Sequence, residues 1–328
     1  MFTILPIKGY IDQIDGFFCD GIHAGLKPNG NNDLGFIYTK EACTVAAIFT
    51  ENRFQAAPLK HFLAYEEGFK TNFVLINSKN ANALTGRKGI EDINTLFSKL
   101  NFDLINPVMS STGVIGNRLP IEKLVTGALK FDLTAKSGEN LSRAIMTTDA
   151  YPKTCLYEVK LEDGSSFKIG AVAKGAGMIN PNLATMLCFI CTDADVPYKD
   201  IKEALNKNKE TTFNAISVDG DTSTNDTVMV LANGKSNAYN KDAFCEALRL
   251  VMHDMAMLMV ADGEGAKKVA AFEVRNAATK EDAIKAAKAL SNSLLVKTAL
   301  FGEDPNFGRI ASTIGASQIA CDDEKLVI

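Results

Sequence analysis

Histidine is scarce in this chain of 328 residues, which contains only His23, His61 and His253. None of the three lies in a motif typical of a histidine-activated nucleophile, and the GxSxG motif of a hydrolase nucleophile elbow is absent. A Ser-His-Asp hydrolase therefore has little support. A nucleophile in this chain would need a base other than histidine.

Long apolar runs and clusters of positive charge are also lacking. No window approaches the roughly 18 apolar residues that a membrane span requires, and the opening MFTILPIKGY does not have the pattern of a signal peptide. The formal net charge is −4, and no basic run is longer than Lys267-Lys268. Nucleic acid and anionic lipid are therefore not favoured as partners. We expect a soluble, cytoplasmic protein that acts on small molecules.

The seven cysteines are odd in number and widely scattered, so they do not form a disulfide framework. Cys188 and Cys191 make a CxxC pair inside an apolar run, but no second pair or nearby histidine accompanies them. Structural zinc or redox chemistry is therefore disfavoured against buried thiols in a strand. We expect reduced cysteines and no metal.

The sequence mixes strand and helix patterns without the regular alternation of a doubly wound parallel sheet, which predicts a mixed α/β (α+β) fold. Its 46% hydrophobic content is enough to bury a large core. Residues 131–170 are polar and turn-rich and are suited to joining two lobes. Strands are predicted over 45–49, 73–76, 187–191 and 227–231, and helices over 90–100, from 120, and over 197–207, 242–259 and 279–294.

The most unusual segment is KGAGMINPNLATML at 174–187, where two glycines and an Asn-Pro pair lead directly into an apolar strand. One interpretation is a glycine-rich turn that enters a buried strand, with Thr185 as its first residue. On physical grounds alone this interpretation is favoured. A nucleotide-binding loop does not fit, because no third glycine opens a helix.

A second interpretation makes Thr185 a nucleophile. Cleavage of the bond between Ala184 and Thr185 would expose an α-amino group whose pKa of roughly 7.7–8.0 suits it to act as the base for the neighbouring hydroxyl. The small Ala184 leaves room for attack on its carbonyl from a cramped turn. Thr185 would then carry its own base, which answers the lack of a suitable histidine.

Acyl transfer also requires donors that stabilise an oxyanion. Within SSTGVIG at 110–116, the hydroxyl of Thr112 and the backbone N–H of Gly113 stand side by side, although such a sequence also occurs in ordinary turns. The acidic run from Asp219 to Asp226 invites a calcium site, but its twelfth position is Val230 rather than glutamate. We interpret it as a polar loop that lies near a site or connects backbone segments.

Taken together, these segments resemble the ornithine acetyltransferase family of cyclic arginine biosynthesis. The autocleavage segment of that family is similar to 174–187. Further similar strings span almost the whole chain in the expected order: FTENRFQAAP at 49–58, NSKNANALTG at 77–86, SSTGVIG at 110–116, MTTD at 146–149, SVDGDTSTND at 217–226, DGEGA at 262–266 and LFGEDPNFGRI at 300–310.

The resemblance implies a layered sheet fold shared with D-aminopeptidase A and self-cleavage into chains 1–184 and 185–328. Thr185 would be the nucleophile, with Thr112 and Gly113 as the oxyanion hole. An amino-acid pocket would be lined by Thr148, Lys174, Thr185 and Glu264, where Lys174 meets a carboxylate and Glu264 an amine.

The reaction implied is acetyl transfer from N-acetylornithine to glutamate through acetyl-Thr185, with no metal or organic cofactor. Acetyl-CoA is a possible second donor, and two copies of each chain would form a heterotetramer. An aminopeptidase or amidase of the same nucleophile class is the alternative, and an inactive truncated chain is another.

The chain departs from the family pattern at several positions. Lys79 stands where the family usually has glycine, Leu84 where cysteine is common, and Phe307 where tryptophan is usual. The chain ends at Ile328, whereas family members continue into a tail that supplies an asparagine and a hydroxyl residue to the pocket. We expect a C-terminal part to be missing.

Overall fold

The computed structural model describes residues 1–180 and 186–328. The strands are β1 (Phe2–Pro6), β2 (Phe18–Ile22), β3 (Leu34–Phe49), β4 (Lys70–Asn77), β5 (Val108–Ser111), β6 (Lys153–Leu161), β7 (Ser166–Lys174), β8 (Leu187–Thr192) and β9 (Thr227–Ala232). The helices are α1 (Ala57–Leu63), α2 (Gly86–Ser98), α3 (Ile121–Ala128), α4 (Gly138–Ala144), α5 (Tyr198–Lys209), α6 (Lys241–Ala261), α7 (Lys280–Asn292), α8 (Leu294–Phe301) and α9 (Phe307–Ala316). The prediction of a mixed α/β fold is confirmed.

The described strands form one sheet in the order β1-β6-β7-β8-β9-β3-β4-β5, with β2 paired beside β3. Pairing is parallel for β4 with β5 and for β8 with β9, and antiparallel elsewhere. The long strand β3 joins the two halves of the sheet. Its first part pairs with β2 and β4, whereas residues 44–49 pair with β9.

One face of the sheet carries an apolar cluster that extends across both of its halves. Alternate side chains of β4 (Val74 and Ile76) and of β8 (Leu187 and Phe189) belong to one buried cluster, although β9 and β3 separate these strands in the sheet. The opposite face packs against helices, with α6 on the β8 side and α2 and α3 on the β4 side. Helices therefore cover that face of the sheet, while α4 packs into the cluster on the other face, in layers as the predicted fold class requires.

Buried cysteines lie in β8, as predicted. Cys188 and Cys191 point to opposite faces of the strand because side chains alternate, and both are fully buried free thiols. Burial raises the pKa of each thiol well above its usual range. Both are therefore poor nucleophiles and unlike the exposed thiolates of reactive sites.

One expectation about domain organisation was wrong. Residues 131–170 do not join two lobes, because they contain α4, the whole of β6 and the first part of β7. Tyr157, Val159 and Phe167 of this stretch are buried in the core that packs against α6. Polar residues on the outward face of β6 obscured the alternation of a half-buried strand. Within the described residues no helix combines the length and the apolar composition that crossing a bilayer demands.

Candidate active site

The loop that follows β5 carries Thr112 and Gly113. The N–H of Thr112 donates to the carbonyl oxygen of Asn77 over 3.0 Å, and the N–H of Val114 donates to that of Lys79 over 3.1 Å. Gly113 has φ 135°, and a Cβ atom there would lie 2.2 Å from the carbonyl carbon of Lys79. Only glycine fits this approach. In the described part of the chain the hydroxyl of Thr112 makes no hydrogen bond, so it remains available as a donor.

Asn225 ties this loop to the start of β9. Its side-chain amide donates to the carbonyl oxygens of Ala81 at 2.6 Å and Ser111 at 2.8 Å, and it is 4% exposed. The fold brings these segments together, although β5 and β9 are separated by two strands. Thr112 is therefore anchored through its neighbour Ser111 to Asn225, which directly precedes Asp226.

Asp226 connects the start of β9 to the start of β8. Its Oδ1 accepts from the N–H of Met186 over 3.0 Å, and the side chain is fully buried. Burial raises the pKa of this carboxyl well above its usual range, against the opposing effect of the Met186 N–H. Met186 directly follows Thr185. The predicted nucleophile Thr185 and its cleavage partner Ala184 lie outside the described residues.

Lys174 ends β7 and is 3% exposed, yet its ammonium forms no ion pair with any residue in the described ranges. Burial lowers its pKa, and the carboxylates of Asp149, Asp226 and Glu264 oppose that shift. A buried cation surrounded by charges but bonded to none of them is costly unless a ligand completes its environment. This arrangement suits the binding of an anionic group.

Thr148 and Glu264 meet beside Lys174. The hydroxyl of Thr148 donates to Oε1 of Glu264 over 2.6 Å, and the N–H of Glu264 donates to the carbonyl oxygen of Ala176 over 2.8 Å. Both side chains are exposed. A Cβ atom on Gly177 would lie 2.5 Å from Oε1 of Glu264, so this glycine leaves the space that the carboxylate occupies. The structure thus brings Thr148, Lys174 and Glu264 together.

A cavity of about 460 Å³ opens beside the site, lined in part by sequence neighbours of the site residues. Lys79, next to Gly113, lines one side, and Thr147 and Asp149 line the other. Lys27 and Arg143 add positive charge to its wall. Burial lowers the pKa of Lys27 to about 8, and the ammonium groups of Lys79 and Lys174 contribute to that shift. The cavity is therefore electropositive.

The acidic loop at 219–226 lies at the site and connects backbone segments, as interpreted from the sequence. Oδ1 of Asp219 accepts from the N–H of Ile179 over 2.9 Å, and Oδ2 accepts from that of Met178. Asn180 donates from its side chain to the carbonyl oxygen of Gly220. These bonds hold the chain just before the predicted cleavage point. Within the described residues no three His, Cys, Asp or Glu side chains are grouped so that they could hold a metal ion.

Sequence reasoning missed three charged residues behind the site. Lys153, Asp149 and Asp262 form a buried ion cluster next to Thr148 and Gly175. Asp149 and Asp262 stood inside strings similar to the family motifs, but nothing in the sequence paired them with Lys153. Burial raises the pKa of Asp149, but the ammonium groups of Lys174 and Lys153 outweigh this and hold it below its usual range.

Comparison with known proteins identifies the family. Residues 18–328 match the ArgJ family. The arginine biosynthesis bifunctional protein ArgJ of Wolinella succinogenes is 57% identical over 100% of this chain and 84% of its own length. The glutamate N-acetyltransferase of Methanothermobacter thermautotrophicus is 40% identical over 98% of this chain and 80% of its own length.

Among solved structures, the crystal structure of the arginine biosynthesis bifunctional protein ArgJ from Bacillus halodurans superposes with a TM-score of 0.51 and 34% identity. The superposition covers 57% of this chain and 99% of that one. This chain therefore belongs to the ArgJ family.

Proposed function

We propose that this chain is an acetyltransferase of arginine biosynthesis that moves an acetyl group from N-acetylornithine to glutamate. Membership of the ArgJ family supports an acetyltransferase, because relatives of the chain bear the names arginine biosynthesis bifunctional protein and glutamate N-acetyltransferase. The observation that carries the substrate assignment is the buried ammonium of Lys174, which has no ion-pair partner among the residues that the structure describes and lies beside the carboxylate of Glu264. A site with both charges selects an amino acid over a simple amide.

The proposed nucleophile is Thr185. Its hydroxyl attacks the carbonyl carbon of Ala184, and the bond to its own nitrogen breaks to give an ester. Water then hydrolyses this ester, which leaves chains 1–184 and 185–328. The new α-amino group serves as the base in transfer. Asp226 supports this assignment, since its carboxyl holds the N–H of Met186, one peptide bond away from Thr185.

In the transfer reaction the hydroxyl of Thr185 attacks the acetyl carbonyl of N-acetylornithine. Thr112 and Gly113 would donate hydrogen bonds to the oxyanion that forms, since the Thr112 hydroxyl bonds to none of the described residues and the loop is braced by Asn225. The amide bond breaks, ornithine leaves with the proton taken from Thr185, and acetyl-Thr185 remains. The amine of glutamate then attacks this ester and frees Thr185.

The substrate pocket is assigned to Thr148, Lys174, Thr185 and Glu264. Lys174 would bind the α-carboxylate that both amino acids share, and Glu264 a substrate amine. The hydrogen bond from Thr148 orients Glu264. The electropositive cavity lined by Lys79 offers space for the rest of each substrate. Because ornithine and glutamate alternate in one site, the kinetics should be ping-pong.

The chemistry needs no metal or organic cofactor, and its substrates are small molecules rather than nucleic acid or membrane. Acetyl-CoA is proposed as a second donor that makes N-acetylglutamate directly. The cleaved chains are proposed to assemble as a heterotetramer of two copies each in the cytoplasm.

Two measurements test the proposal. Intact mass spectrometry should find two fragments, the second beginning with Thr185, and one uncut chain for Thr185→Ala. With N-acetylornithine as donor, glutamate should accelerate ornithine release and yield N-acetylglutamate, with parallel double-reciprocal lines. If release were indifferent to glutamate and acetyl appeared only as free acetate, the amidase function would replace this one. Cutting that persisted in Thr185→Ala would remove the threonine mechanism.

A further inference from the structure

Lys153 stands out as a charged side chain that is completely buried. It is the first residue of β6 and is 0% exposed, and its ammonium pairs with Oδ1 of Asp149 at 2.7 Å and Oδ2 of Asp262 at 2.6 Å. We call these three residues the Lys153 ion cluster. Exposed ion pairs elsewhere on the surface are free to rearrange, whereas a buried pair of this kind has essentially one geometry.

Each carboxylate of the cluster also holds a neighbouring backbone segment. Oδ1 of Asp149 accepts from the N–H of Gly175 at 2.7 Å, and Oδ2 accepts from that of Thr147 at 3.0 Å. Oδ2 of Asp262 accepts from the N–H of Ala150 at 3.0 Å. The cluster thus binds together the 147–150 loop, the end of β7 and the end of α6.

These three segments carry the residues assigned to the substrate pocket. Thr148 lies between the amides of Thr147 and Ala150 that the cluster holds. Lys174 immediately precedes Gly175, and Glu264 is two residues after Asp262. The relative positions of the proposed hydroxyl, ammonium and carboxylate therefore depend on one buried lysine. From this geometry we propose that the Lys153 ion cluster positions Thr148, Lys174 and Glu264 for binding of the amino-acid substrate.

The inference rests on the proposed function, and it makes Lys153 a positioning residue that touches no substrate. If Lys153 only stabilised the fold, its removal would lower the thermal midpoint without changing the substrate affinity of the folded protein. A positioning role changes the affinity itself, since a displacement of about 1 Å at a site can cost on the order of 10²-fold. Affinity measured in folded variants separates the two.

The first test is Lys153→Met in the full chain, which removes the ammonium and leaves the two carboxylates unpaired. We expect KM for N-acetylornithine and the calorimetric Kd for ornithine to rise about 10²-fold, while kcat falls less than threefold. Tyr157→Phe is the matched control. It lies in the same strand and loses a hydrogen bond to Asp254 away from the pocket, so its KM should not change.

A second variant keeps the inference testable if Lys153→Met does not fold. Lys153→Met combined with Asp262→Leu removes opposite charges together, so stability should recover. The acceptor for Ala150 is still absent, so KM and Kd should remain raised at least tenfold. Hydrogen exchange at the amides of Thr147, Ala150 and Gly175 should also be faster than in the wild type, whether or not the protein is active.

Folded variants with KM and Kd within twofold of the wild type and unchanged amide exchange would overturn the inference. The inference would also be overturned if Tyr157→Phe lost stability and its KM rose as well, because KM would then report stability rather than positioning. These results differ from failure of the proposed function, which would show as a wild-type protein that neither binds ornithine nor transfers acetyl. In that case amide exchange alone decides whether the cluster holds the three segments.

Discussion

Gly177→Ala offers a direct test of the Glu264 assignment. A Cβ atom at this position would lie 2.5 Å from Oε1 of Glu264 and 2.7 Å from its Cδ. Ordinary contact between such atoms requires about 3.5 Å, so the carboxylate must withdraw by about 1 Å. The hydrogen bond from Thr148, now 2.6 Å long, would then pass beyond bonding distance.

The magnitude follows from the bond that is lost. A hydrogen bond to a charged group contributes about 1.5–3 kcal/mol, and about 1.4 kcal/mol corresponds to a factor of ten. We therefore expect kcat/KM for N-acetylornithine to fall about 10- to 100-fold. Glu264 is exposed and Gly177 does not have a positive φ, so the free energy of unfolding should fall by no more than this bond contributes, about 1.5–3 kcal/mol.

The assay is steady-state ornithine release at saturating glutamate, with urea unfolding of the same samples. Gly315→Ala serves as the control because no described residue lies within 4 Å of a Cβ atom there. Glu264→Gln, alone and combined with Gly177→Ala, completes a double-mutant cycle. The two changes act through one carboxylate, so the combined loss should be well below their sum. Unchanged kcat/KM in Gly177→Ala, or strictly additive losses, would refute the assignment.

Three further predictions concern other parts of the chain. Thr112→Ala should slow acetyl transfer by about 10²–10³-fold with the fold retained, and a change below threefold in the transfer rate would make Thr112 an ordinary turn residue. Leu84 has φ 56° and is 63% exposed. Because asparagine adopts this backbone conformation more readily than leucine, Leu84→Asn should raise the free energy of unfolding by about 0.5–1 kcal/mol in urea titrations. An equal or lower free energy of unfolding would argue against backbone strain at this position. Burial raises the folded-state pKa of Asp226 above its unfolded value, so its contribution to stability is lost as pH rises from about 4 towards the folded pKa. Asp226→Asn should therefore gain stability relative to the wild type across this range, by up to about 1.4 kcal/mol per pH unit, and a difference independent of pH would contradict it.

Local patterns were sufficient for much of the fold. The helix predicted over 242–259 appears as Lys241–Ala261, and that predicted over 197–207 appears as Tyr198–Lys209. Thr279 accepts from the N–H of Asp282 as the capping pattern requires. These features depend on spacing within one element, and periodic burial makes that spacing visible in a single sequence. The predicted roles of Thr185, Thr112 and Gly113 remain predictions.

Contacts between distant segments could not be predicted in this way. Lys153 is separated from Asp262 by 109 positions, and Asn225 from Ser111 by 114. No periodicity links such residues, and a lysine at the start of a strand usually faces water. The error over 131–170 has the same origin, because β6 becomes recognisable as a strand of the sheet only when β1 and β7 pair with it.

By itself, the sequence determined the secondary-structure elements, the mixed α/β class and the motifs from which the chemistry is proposed, because each depends on neighbouring residues. The tertiary structure decided which of these residues meet. The fold of the sheet carries Ser111 to Asn225, and burial of Lys153 joins the segments of Thr148, Lys174 and Glu264. The physical reason is that a buried charge or amide must find its partners wherever the chain brings them, and sequence separation does not limit that choice.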